Sequence, residues 1–138
     1  SMLRDFTKIV HKFVEANKDN AAMKEFVEPL AALNKEWGDL TMQIGMRAMQ
    51  NPDEVGAAAV DYLYFSGYVT LAYLWARMAL VAQEKLAAGT TDVDFYNAKV
   101  TTARFYFKKI LPRVRSHVDV IAGGLDPLMA LDAEHFAF

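Results

Sequence analysis

The chain has 138 residues, 54% hydrophobic and 23% charged, with 15 Lys and Arg against 17 Asp and Glu for a formal net charge of -2. That length suits one domain with a single core, the composition is too apolar for a disordered segment, and the balance gives no global attraction to nucleic acid or anionic lipid. Because the sequence contains no cysteine, disulfides, thiolate nucleophiles, cysteine-ligated metals and covalent haem are excluded, and a cytoplasmic setting is the expectation.

Ser1-Met2-Leu3-Arg4-Asp5 lacks the charged-then-apolar form of a secretory leader, and Ser1 ahead of Met2 reads as an expression scar. From there Leu3, Phe6, Val10, Phe13, Val14 and Asn17 recur at three- and four-residue steps, which predicts a helix of about four turns that stops at Lys18-Asp19-Asn20. A second helix is expected from about Ala21 to Gln50, with Met23, Phe26, Leu30, Leu33, Trp37, Leu40 and Ile44 on one stripe. Pro29 frees the carbonyl of Glu25 and predicts a kink or restart near Glu28. Gly38 and Gly45 share a face of this helix, and close packing of a bulky neighbour explains them better than a ligand groove does.

The third helix has the clearest punctuation: Asn51 as N-cap, Pro52 at the first helical position, Asp53 and Glu54 in the first turn, and Gly89 past the end. Ser66, Thr70, Arg77 and Glu84 form a narrow polar strip, while Tyr62, Leu63, Phe65, Val69, Leu71, Tyr73, Leu74, Trp75, Met78 and Leu80 fill the rest of the wheel. Its uncharged run, Tyr62 to Ala76, falls short of the ~18 residues of a membrane span, so it reads as a central or interfacial helix.

Thr91-Asp92 caps the fourth helix, which carries a buried stripe of Tyr96, Val100, Ala103, Phe107, Ile110, Leu111, Val114, Val118 and Ile121, with a kink at Pro112 and a stop at Gly123-Gly124. Asp126-Pro127 would cap a last short turn through Leu131, ahead of a tail holding Phe136 and Phe138. The predicted fold is therefore all-α, an antiparallel bundle of about four helices, occupying residues 2–138 as one domain.

No active site emerges from these elements. Glu-x-x-His, the helical signature of di-iron bundles, is missing, as are GxGxxG and Walker loops. His11 with Glu15 and Glu25 with Glu28 read as solvated helix pairs. His117, near Arg113 and Asp119, reads as a hydrogen-bonded structural histidine, because no nucleophile or orienting partner can be assigned to it. Lys99, Arg104, Lys108, Lys109, Arg113 and Arg115 straddle the fourth helix on two flanks, which points to solvation or pairing with acids on neighbouring helices rather than to nucleic-acid or CoA-phosphate binding. Phe105 points away from the core arc beside Arg104, a composition typical of contact surfaces.

The stretch Ala103-Arg-Phe-Tyr-Phe-Lys-Lys-Ile-Leu-Pro-Arg113, with His117, Ile121, Gly123 and Leu128-Met-Ala-Leu131, resembles the C-terminal accessory domain of a bacterial acyl-CoA dehydrogenase-like family. Tyr73-Leu-Trp-Ala-Arg-Met-Ala79 resembles the same family, and the likeness extends from about Met2 to Phe138. It implies a domain that follows a complete FAD-dependent dehydrogenase, some members of which act on methylthiopropanoyl-CoA. In such enzymes a carboxylate removes the α-proton of the thioester while hydride leaves the β-carbon for flavin. No position here matches that carboxylate or the main flavin-binding motifs, so Glu84 and Glu134 inherit no role and no cofactor is expected in this piece.

The expected role is thus structural: packing against the dehydrogenase core or a second subunit through part of the third helix and the Phe105 face, with Phe105, Arg104, Lys108, Tyr73 and Trp75 as candidate interface residues. Peripheral membrane association and a free-standing ligand-binding bundle are the alternatives.

Overall fold

A computed structural model describes residues 2–124, and among them there are helices and turns but no strand. The predicted turn through Leu131 and the aromatic tail lie outside the described residues, as does Glu134. Helix α1 spans Met2–Asn17, α2 Lys24–Gln50, α3 Val55–Ala87, α4 Val93–Phe105 and α5 Val114–Gly124. Helices α4 and α5 are two parts of the fourth predicted rod, so the four-helix expectation holds.

Local chemistry sets each break. Asn17 turns inward and donates from Nδ2 to the Phe13 carbonyl at 2.9 Å, while Asn20 accepts from the Ala22 amide at 3.1 Å and starts the 3₁₀ turn Ala21–Met23. Asn51 does the same for Asp53 at 3.3 Å, with Pro52 next in line. Gly89 closes α3 at φ +82°, and the Thr90 amide reaches back to the Lys85 carbonyl at 3.1 Å; a side chain would strain that left-handed position. Asp92 stands at the N-cap of α4 without a side-chain bond, and Thr90 instead accepts from the Asp92 amide at 3.1 Å.

Helix α1 packs on α2, α2 on α3, and α3 on both α4 and α5, so α3 is the central element. Its inward face is Ala58, Phe65, Val69, Ala72, Ala76 and Ala79, all buried, and the alanines let neighbouring helices approach closely. Phe26, Phe65, Met23, Leu30 and Ile121 are the largest fully enclosed side chains. Full burial of such side chains contributes about 1.5–3 kcal/mol each. Between α2 and α3, Trp37 Nε1 donates to the Tyr62 hydroxyl at 3.2 Å, and Thr41 Oγ1 lies 2.6 Å from the same oxygen.

Three expectations change in detail. Helix α2 continues through Pro29 with no restart at Glu28, although the proline withholds the amide that the Glu25 carbonyl would accept. At Pro112 the interruption is larger than a kink: Tyr106–Ile110 form a π turn and Leu111–Arg113 a 3₁₀ turn. The Leu111 amide bonds the Tyr106 carbonyl five residues back, absorbing the register that proline denies. As a result Tyr106, absent from the predicted stripe, is buried, and its hydroxyl donates to the Tyr68 carbonyl at 2.6 Å. Burial, with a smaller contribution from Tyr68, pushes the Tyr106 phenol well above its usual range.

The third change concerns Gly38 and Gly45. Nothing lies within 4 Å of where a Cβ would stand at either residue, so no bulky neighbour explains them. Helix α1 begins beside this point: Leu3, Arg4 and Thr7 line a cleft of about 430 Å³ with Gly38, Thr41 and Met42. Beyond it Met42, Met46 and Met49 are exposed.

Candidate functional site

Several titratable side chains tie helices together. His117 on α5 places Nδ1 2.8 Å from the Asp61 carboxylate on α3, and its ring stacks on Tyr64 at 5.0 Å and 11°. Tyr68 lies tilted on the other contact at 5.7 Å. The imidazole is hydrogen-bonded, and the partner that sequence could not assign is Asp61 on another helix, with two aromatic rings beside it. No sequence spacing signals a pair that is 56 residues apart.

Two of the basic residues of the fourth rod find acids on α2. Arg104 makes a bidentate contact to Glu25, Nε to Oε1 at 2.8 Å and Nη2 to Oε2 at 3.1 Å. The hydrogen bond to Glu25 holds the Arg104 guanidinium above its usual range, opposed by slight desolvation. Arg115 pairs with Glu36. Glu28 and Glu15 pair with Lys24 and Lys18 along their own helices. These partly exposed pairs fix register more than they add stability.

Of the candidate interface residues, Phe105 is exposed at 56% and Lys108 is exposed, whereas Arg104 is engaged with Glu25. Trp75 is half-buried and packs against the core cluster. Tyr73 is removed from the surface altogether: it is buried, and Phe6 and Phe13 of α1 meet its ring edge-on at 5.5 and 5.6 Å. Short α1 reaches α3 through this aromatic clamp, which the wheel of α3 alone cannot reveal.

What the exterior does present is oil. On α3, Val60, Leu63, Tyr64, Leu71, Leu74 and Val81 are 43–70% exposed, and Phe95 on α4 is 57% exposed. At the C-terminal end of this face, Leu74, Met78, Val81, Phe95 and Tyr96 line an open groove of about 510 Å³, with Arg77 and Lys99 at its margin. Lys99 Nζ sits 5.2 Å from the Phe95 ring centroid. This apolar trough offers no array of polar groups for a flavin ring and its pyrophosphate, and does not fit FAD. Among the described residues no cluster of three or more His, Asp and Glu could hold a metal ion.

The class these features define is an all-α helical bundle with interhelical ion pairs and large apolar side chains exposed on its exterior. The chain belongs to the acetyl-CoA dehydrogenase C-terminal-like family, which it matches over residues 6–132. It is 32% identical over 135 residues to FadE5 of Mycobacterium tuberculosis (strain ATCC 25618 / H37Rv), a broad-specificity linear acyl-CoA dehydrogenase; the alignment covers 92% of this chain and 22% of that protein. The chain thus spans about one fifth of the length of the curated relative it matches.

Proposed function

We propose that this chain is the non-catalytic C-terminal domain of an FAD-dependent acyl-CoA dehydrogenase, and that it packs against the catalytic core or another subunit of a cytoplasmic enzyme. The observation that carries the reading is the exposed apolar surface of α3 and Phe105 on a chain of the acetyl-CoA dehydrogenase C-terminal-like family. Flavin, bound by the remainder of the parent, would supply the hydride acceptor for α,β-dehydrogenation of the thioester. This chain's own residues would contribute contact area and orientation.

The test is thermal: FAD or an acyl-CoA added to the isolated chain leaves its unfolding midpoint unchanged if the domain only docks. A saturable upward shift with either ligand contradicts the reading, since a ligand at a hundred times its Kd adds about 2.7 kcal/mol.

A second reading, peripheral membrane association, draws on α3, which holds an 18-residue window of mean hydropathy 1.2 that passes a span's length and composition test. That window is 39% buried inside the bundle, so burial does not by itself account for its apolar character. Flotation with anionic liposomes separates the two readings: a protein-docking domain stays in the soluble fraction.

A further inference from the structure

The outward face of α3 has a register of its own. Gly56, Val60, Leu63, Gly67, Leu71, Leu74, Met78 and Val81 follow steps of three and four, and fall within about 80° of arc at ~100° per residue. At one end of this row Val60 is 55% and Leu63 70% exposed, with Tyr64 beside them at 58%; the groove bounded by Leu74, Met78, Val81 and Phe95 lies at the other. Gly67 sits between them, exposed, with nothing within 4 Å of a Cβ position.

We infer that this face is a two-fold interface with a second copy of the same chain, in which α3 packs antiparallel on its symmetry mate about an axis near Leu71. The inference rests on the docking-domain reading and assigns the α3 part of that surface to a subunit rather than to the dehydrogenase core. In the antiparallel register, positions whose numbers sum to about 141 face each other. Leu63 of each copy enters the groove at Met78 of the other, Val60 meets Val81, and Leu74 covers Gly67. Large side chains thereby fill the hollows that the isolated bundle leaves open, and they do so twice by symmetry.

Charge selects this direction over the parallel one. A parallel pair would set Arg77 against Arg77 and Lys85 against Lys85. The antiparallel pair separates the two Arg77 side chains and brings Lys85 to the turn that carries Asp53. Size is adequate as well: from the exposed fractions, the stripe and Phe95 leave roughly 650 Å² of apolar side chain per copy in water, or about 1,300 Å² in a pair, within the ~1,200–2,000 Å² of stable interfaces.

The absence of cysteine makes the register directly readable. Light scattering on the 138-residue chain should show the mass rising from 15.5 kDa toward about 31 kDa with concentration, and Leu71→Glu should hold it at the lower value with an unchanged circular dichroism spectrum. Under mild oxidation Leu71→Cys should form a disulfide dimer. Val60→Cys alone should not, because its two copies would lie about 31 Å apart along the helices at ~1.5 Å per residue, beyond the ~7 Å limit of a disulfide. Mixing Val60→Cys with Val81→Cys should restore the link. A monomer at every concentration overturns the inference, as does Val60→Cys linking to itself as readily as Leu71→Cys. Association with a separately produced dehydrogenase core that is lost in Leu71→Glu also overturns it, by giving the face to the core. None of these readouts depends on whether the core binds Phe105, so the docking-domain reading stands or falls separately.

Discussion

Phe65 and Leu63 are two residues apart on α3, and their exposures, 0% and 70%, place them on opposite sides of the bundle wall. Phe65→Ala deletes a fully enclosed ring next to alanine-faced contacts that cannot collapse far, a loss of about 3–5 kcal/mol. For 138 residues at ~2.1 cal/mol/K each, the unfolding entropy is about 0.29 kcal/mol/K, so a 4 kcal/mol loss lowers Tm by about 14 °C. Leu63→Ala gives up only a minor buried fraction and gains helix propensity, so about 0.5 kcal/mol or less is expected, under ~2 °C. Both melts are to be read by circular dichroism on dilute protein, where subunit association adds nothing. Equal losses at the two positions would refute the division of α3 into a folding face and a docking face.

Tyr106→Phe removes one hydroxyl bonded to the Tyr68 carbonyl and should cost about 1 kcal/mol at neutral pH. Because the folded phenol is raised above its ordinary value of 10.0, the native state holds its proton while the unfolded chain loses it. Stability should therefore fall above about pH 10, by up to ~1.4 kcal/mol per pH unit, and pH-dependent melts of Tyr106→Phe should lack that part of the decline. Asp61→Asn weakens the tie to His117, whose two side chains are about one-fifth exposed; a loss of about 1–3 kcal/mol and faster amide exchange across α5 are expected in hydrogen-exchange experiments. Gly45→Ala, which meets no neighbouring atom, should raise Tm by the equivalent of about 0.5–1 kcal/mol, and a lowered Tm would show that something already packs there.

The fold was legible because its signals are local. Asn20, Asn51, Pro52 and Gly89 mark the element ends at the positions where the structure breaks, and 3.6-residue periodicity places Phe26, Leu30 and Ile121 in the core. Pro112 announced a disturbance but not its form: the π turn that draws Tyr106 inward is a compromise between proline and the packing of α3, which no wheel contains. Tyr73 was misplaced for a related reason, since an all-apolar helix does not say which apolar side faces α1. The basic flank was resolved only in part, because sequence offers the charges of Arg104 and Arg115 without the acids opposite them, Glu25 and Glu36. His117 needed Asp61 from another helix. Contact surfaces suffer most from this blindness, for their residues are chosen by what lies outside the chain.

The central claim is that this bundle is built to be held by a dehydrogenase. Its most direct test is sedimentation of the isolated chain with the parental dehydrogenase core produced without it. The account predicts a stoichiometric complex that Phe105→Glu abolishes while leaving the bundle folded. A core that is fully assembled and active alone, and that ignores the added chain at every ratio, would contradict it.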